Sequence, residues 1–118
     1  AVMVLVRSPH AHARVLSIDA DAARAMPGVI AVYTHADLVA AGLRPIPGFV
    51  GGKRPDGEPM SVPPRAGLAA DTVRYVGNAV AAVIAETRAQ AQDAAEAVVV
   101  DYEPLPAVVD VRAAMSPE

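Results

Sequence analysis

The sequence predicts a mixed α/β domain of the α+β kind, in which short helices accompany a mixed sheet and a long irregular loop interrupts the order. Three observations carry this. Several short runs, "VMVLV", "VIAVY", "AVAAVIA" and "VVVDYE", are apolar and rich in β-branched residues, as strands require. One segment, "TRAQAQDAAEAV", has helical spacing and its own N-terminal cap. Between residues 42 and 67 lie six of the eleven prolines and six of the eight glycines, a density no regular element sustains.

In chain order, Val2 to Val6 is an unbroken apolar run and is expected to be a strand buried on both faces. Pro9 biases Ser8 toward an extended backbone and breaks the run. A second strand is expected over Ala13 to Ile18. Asp19 and Asp21 offer caps for a short helix through Met26, and Pro27-Gly28 is a turn. Val29 to Tyr33 is the third strand. His35 to Ala41 forms a short helix that Gly42 can stop. After the 42–67 loop, "TVRYV" is a short strand candidate, Gly77 a turn and Ala79 to Ala85 a buried strand. Thr87 and Gln90 form a capping box for the next helix, whose apolar stripe is Ala91, Ala94, Ala95 and Val98. Mostly alanine, that stripe lets the helix lie close against a sheet. Arg88, Gln92 and Glu96 form its wet face. A strand comes next, then an extended stretch with Pro104 and Pro106, and Asp110 caps a last helix, "VRAAM". The two strand–helix–strand units share a pattern, and either connection could cross over between parallel strands.

Length and composition bound the function. A chain of 118 residues supports one domain, residues 1–118, with one core. Hydrophobic residues make up 53% but aromatics only 3%, so the interior is built from small side chains. The net charge of −3, without a basic run, argues against nucleic acid as a partner. There are no cysteines, which excludes disulfides, thiolate zinc sites, a cysteine nucleophile and iron–sulfur ligation by this chain. The longest apolar run, Ala79 to Ala85, is far below the ~20 residues of a membrane span. No signal peptide is visible, and a cytoplasmic location is expected. The abrupt start on "AVMVLV" and the end on "MSPE" suggest a fragment of a longer polypeptide.

Candidate chemistry is sparse. His10 and His12 would share a face if their segment were a strand, and they are the candidate metal ligands. Arg14 would lie on the same face, about 7 Å beyond His12, where a fixed cation opposes a divalent metal. No carboxylate nearby offers a third ligand. Leu16 and Ile18 would continue that face, so the histidines are expected at the rim of a core face, in structural or interface roles. "GFVGGKRPDGEP" superficially suggests a phosphate loop. However, Pro47 stands where its first glycine belongs, and Arg54 where its Ser or Thr belongs. Asp101 and Glu103 could pose as paired carboxylates, but a solvated strand edge explains them as well. Asp56 and Glu58 lie in the loop. Ser8 and Ser61 have no evident base, so a hydrolase triad is not supported.

The blocks "LVRSPHAHARVLSID", "AMPGVIAVYTHADL" and "LAADTVRYVGNAVAAVIAETRAQAQDAAEAVVVDYEPLPAVVD" closely resemble, in order and spacing, the α/β hammerhead domain of the molybdenum-binding large subunit of xanthine dehydrogenases, aldehyde oxidases and aerobic carbon monoxide dehydrogenases. The resemblance covers nearly the whole chain. It implies a structural and interface domain of a molybdopterin-dependent oxidoreductase. Molybdopterin would lie in downstream domains, with [2Fe–2S] clusters and flavin on other domains or subunits. It carries over no catalytic, cofactor-binding or metal-ligating residue, so the isolated chain is expected to be inactive. It also leaves the substrate open among carbon monoxide, purines, aldehydes and N-heterocycles. The family's usual Gly-Glu-Pro or Gly-Gln-Pro is here Gly77-Asn78-Ala79, which removes a proline from a turn. Two other readings are a freestanding hammerhead binding or assembly module without redox chemistry, and a small histidine-based metal-binding protein.

Overall fold

The computed structural model describes residues 1–48, 51–60, 62 and 65–115. Six strands and four helices succeed one another as β1 (Val2–Arg7), β2 (Ala13–Asp19), α1 (Asp21–Arg24), β3 (Val29–Thr34), α2 (His35–Ala40), β4 (Thr72–Val73), β5 (Ala79–Ala85), α3 (Arg88–Glu96), β6 (Val99–Pro104) and α4 (Val111–Ala114). The expected class and most expected elements are present. The sheet arrangement is different. Instead of one mixed sheet there are two three-stranded sheets, ordered β1-β5-β3 and β4-β2-β6, and every strand pairing among the described residues is antiparallel.

Neither strand–helix–strand unit, either of which could have crossed over between parallel strands, does so among the described residues. Each unit passes from one sheet to the other: β2–α1–β3 leads from the second to the first, and β5–α3–β6 leads back. β5 has both edges occupied by β1 and β3, and β2 has both edges occupied by β4 and β6. The strand after each of these helices joins the other sheet.

β5 is the centre of the core. Val80, Ala81, Val83 and Ala85 are fully buried, and Val83 meets Val32, Ala94, Val98 and the α1-side residues Ala20 and Ala23. Ala91 and Ala94 form the buried side of α3. A second cluster, built from Ala13, Ala69, Val73 and Val80, joins the two sheets. Because these side chains are small, the layers approach closely, and a lost methyl group has no loose neighbour to replace it.

The capping box of α3 is formed. The Gln90 amide donates to Thr87 Oγ1 at 3.3 Å, and the Thr87 amide donates to Gln90 Oε1 at 3.1 Å. Gly28, with φ of +77°, packs directly on the Gln90 side chain, and a Cβ there would collide with it. The turn before β3 and the α3 cap are thus built against each other. A second box, not anticipated from the sequence, starts α2: the Thr34 amide and hydroxyl both donate to Asp37 Oδ2, at 2.7 and 2.9 Å.

Two local expectations are corrected. β1 is an edge strand with Met3 59% exposed, so it is not buried on both faces. The chain places α1 and α3 on only one side of its sheet. In β2, Ile18 does not share a face with Arg14 and Leu16. A register shift between Val15 and Ser17 rotates the strand, so Ile18 packs into both core clusters while Leu16 points out.

The 42–67 segment contributes only isolated bridges among its described residues, Ile46 with Arg65 and Lys53 with Pro59. Its tip is held by an Arg54–Asp56 ion pair at 3.0 Å.

Two substitutions test this architecture by urea denaturation. Thr87→Ala is expected to lower stability by about 1 kcal/mol through loss of the cap. Val83→Ala is expected to cost about 2 kcal/mol, since two buried methyl groups leave a gap that the small neighbours cannot fill.

Candidate functional site

His10 and His12 lie in the turn between β1 and β2, not on a strand. Pro9 ends β1, and Ser8 organises the turn. Ser8 is 2% exposed. Its amide donates to the Asn78 carbonyl and its carbonyl accepts from the Gly77 amide. Its hydroxyl accepts from the His10 amide at 3.0 Å and donates to the His10 carbonyl at 3.2 Å. The Ser8 hydroxyl is therefore engaged in the turn rather than poised as a nucleophile. Ser61 lies outside the described residues.

The two imidazoles then part company. His10 stands edge-on to the Tyr102 ring, with centroids 5.0 Å apart. His12 Nδ1 lies 2.7 Å from the Pro106 carbonyl. A carbonyl only accepts, so Nδ1 carries the proton and donates. The His12 carbonyl in turn accepts from the Leu105 amide at 2.9 Å. Arg14 pairs with Glu103 across the β2–β6 ladder at 3.4 Å. Together these contacts clamp β6 and its outgoing chain onto β2. Glu103 and Asp101 are exposed on an edge strand, and Glu103 is committed to Arg14. Nothing here pairs two carboxylates for acid–base work.

His35 sits at the start of α2, with Nδ1 donating to the Leu68 carbonyl at 3.1 Å. It borders a groove of about 570 Å³ that also meets Arg65, Asp71, Arg74, Tyr75 and Asn78. Beside it lies a more apolar hollow of about 410 Å³ under Leu38, Val39 and Leu43. In the turn at Gly77, Asn78 ties the backbone with hydrogen bonds. Its Oδ1 accepts from the Arg74 amide at 3.2 Å and its own amide donates to the Tyr75 carbonyl. Among the described residues no group of three or more His, Asp or Glu side chains converges to hold a metal.

Two groups have shifted ionisation. The amide and hydroxyl of Thr34 hold the Asp37 carboxyl below its usual range. Burial pushes the Tyr102 phenol above its usual value, against a smaller opposing effect from the Ser8 hydroxyl. The pairing of Tyr102 with His10 and the buried Ser8 was invisible in the sequence, since only folding brings β6 against the β1–β2 turn.

The profile of the family described as "Aldehyde oxidase and xanthine dehydrogenase, a/b hammerhead domain" matches residues 1–106. The chain belongs to this family. It is 45% identical over 113 residues to the carbon monoxide dehydrogenase large chain of Afipia carboxidovorans, covering 96% of this chain and 13% of that one. It is 44% identical over 108 residues to the nicotine 6-hydroxylase large subunit of Paenarthrobacter nicotinovorans, covering 91% and 12%. Its fold is similar to that in the crystal structure of a Cu,Mo-CO dehydrogenase, with a TM-score of 0.82, 44% identity and coverage of 98% and 13%. The hammerhead chain thus spans about one-eighth of the length of the curated relatives it matches.

Two outcomes are expected. In Tyr102, the folded state favours the neutral phenol. Its contribution is complete below about pH 10, the ordinary tyrosine value, and is lost as pH rises through the higher folded value. Urea midpoints measured upward from about pH 9 should fall, and Tyr102→Phe should flatten that fall. His12→Ala should cost up to about 1 kcal/mol by removing an exposed hydrogen bond. Amide exchange at Leu105 should accelerate, since the clamp on β6 loosens.

Proposed function

We propose that this chain is the structural and interface hammerhead domain of a molybdenum hydroxylase large subunit, of the xanthine dehydrogenase or carbon monoxide dehydrogenase type, and does no chemistry by itself. The observation that supports this most directly is the family match over residues 1–106, combined with a body whose candidate reactive side chains are occupied by structure. The Ser8 hydroxyl closes a turn, His12 clamps Pro106, and Glu103 pairs with Arg14.

In this reading molybdopterin is held by domains downstream of this one, and [2Fe–2S] clusters and flavin belong to other domains or subunits. The described residues of this chain do not fit an iron–sulfur cluster or a directly ligated metal ion. It has no cysteine to ligate a cluster, and its described His, Asp and Glu side chains gather in no set of three. No redox step is therefore routed through them. What the chain supplies is a rigid packed body and surfaces for its neighbours. Among the described residues no helix is long and apolar enough to cross a membrane. The proposal places the parent enzyme in the cytoplasm, where the cofactor-bearing domains would join this one.

Two measurements test the proposal. The coding sequence beyond Glu118 should continue into further large-subunit polypeptide; a stop codon there, with no molybdopterin-domain gene adjoining, would favour a freestanding binding module. Purified 1–118 should contain far less than one molybdenum per chain by elemental analysis, and stoichiometric molybdopterin would place the site in this domain.

A further inference from the structure

The strands of the first sheet carry no charged side chain from Val2 to Val6, from Val29 to Tyr33 or from Ala79 to Ala85. A sheet with one face in water alternates apolar with polar residues, whereas a sheet covered on both faces does not. This composition therefore calls for cover on both faces, and the described chain covers one of them only in part.

The register shows where the gap lies. Residues directly opposite on neighbouring strands project to the same side. Met3, Ile84 and Ala31 form one row across the three strands, and Leu5, Ala82 and Tyr33 form the next. Both rows point away from the Val83–Ala94 core beneath α1 and α3. Leu38 of α2 and Leu68 cover the second row at Leu5 and Ala82. The first row stays open, with Met3 and the bulge residue Ile30 each 59% exposed and Tyr33 beside them 44% exposed.

We propose that this half-face, centred on Met3, Ile84 and Ile30, is the docking surface for an apolar layer supplied by the rest of the same large chain. The inference rests on the function proposed above. The occupant is argued from chain length: this domain corresponds to 13% of the carbon monoxide dehydrogenase large chain it resembles. A covalently tethered segment meets the face at an effective concentration in the millimolar range, above what a second copy reaches in solution. The face also has no charge to select a polar partner, and its area continues an apolar surface that Leu38 and Leu68 already half cover.

The test uses the intact large chain. In hydroxyl-radical footprinting read by mass spectrometry, Met3 should oxidise at least tenfold more slowly in the native chain than in the same chain unfolded in urea. Met3→Glu with Ile30→Glu should lower the thermal midpoint of the intact chain, while Arg88→Glu on the wet face of α3 should not. Both glutamates sit at positions that the domain itself leaves exposed, so its own core is untouched. Native oxidation of Met3 as fast as in urea, or an unchanged midpoint in the double variant, would overturn the inference. Protection that disappears on dilution would also overturn it, by assigning the face to a second copy. A coding sequence that ends near Glu118 fails the underlying function instead, and is distinguished from the other outcomes because no longer chain then exists to footprint.

Discussion

The structure depends on β5. Its backbone must be hydrogen-bonded along both edges and its side chains buried on both faces, because Ala79–Ala85 offers water nothing to solvate. β1 and β3 meet the first demand; α1, α3 and the second sheet cover one face, and Leu38 and Leu68 cover part of the other. With both edges of β5 taken, the strand after α3 pairs with β2 in the other sheet. The exchange of strands between two antiparallel sheets is the result. The small residues of the core then decide the spacing: alanines at 91 and 94 let α3 press close against the sheet, and Val83 packs with Ala94.

The β1–β2 turn is where the two sheets are tied. Ser8 is buried because four hydrogen bonds converge on it, two from its backbone with residues 77 and 78 and two from its hydroxyl with His10. That turn presents His10 to Tyr102 and His12 to Pro106, so a segment rich in apparent chemistry serves to hold the last strand in place. The exposed apolar side chains of Met3 and Ile30 lie outside the core.

Much of this was legible in the residues. The Thr87–Gln90 box, the alanine stripe and the Asp110 cap are local, set by contacts three or four positions apart. Sequence therefore determined the elements, the class, the family and the absence of thiolate chemistry. Pairing was not legible, since it depends on which edges of β5 and β2 remain free, and that is a property of the assembled sheets. The β2 bulge reversed the side of Ile18, because one shifted residue flips every side chain beyond it. Apolar composition called for cover on both faces of β1, but only the tertiary structure showed that α1 and α3 lie on one side and that α2 reaches only part of the other. His-x-His suggested a shared face, yet the turn built on Ser8 sends the two rings to different partners. Side-chain direction in a turn is decided by long-range hydrogen bonds, and residues 94 positions apart, such as His12 and Pro106, meet only once the chain has folded.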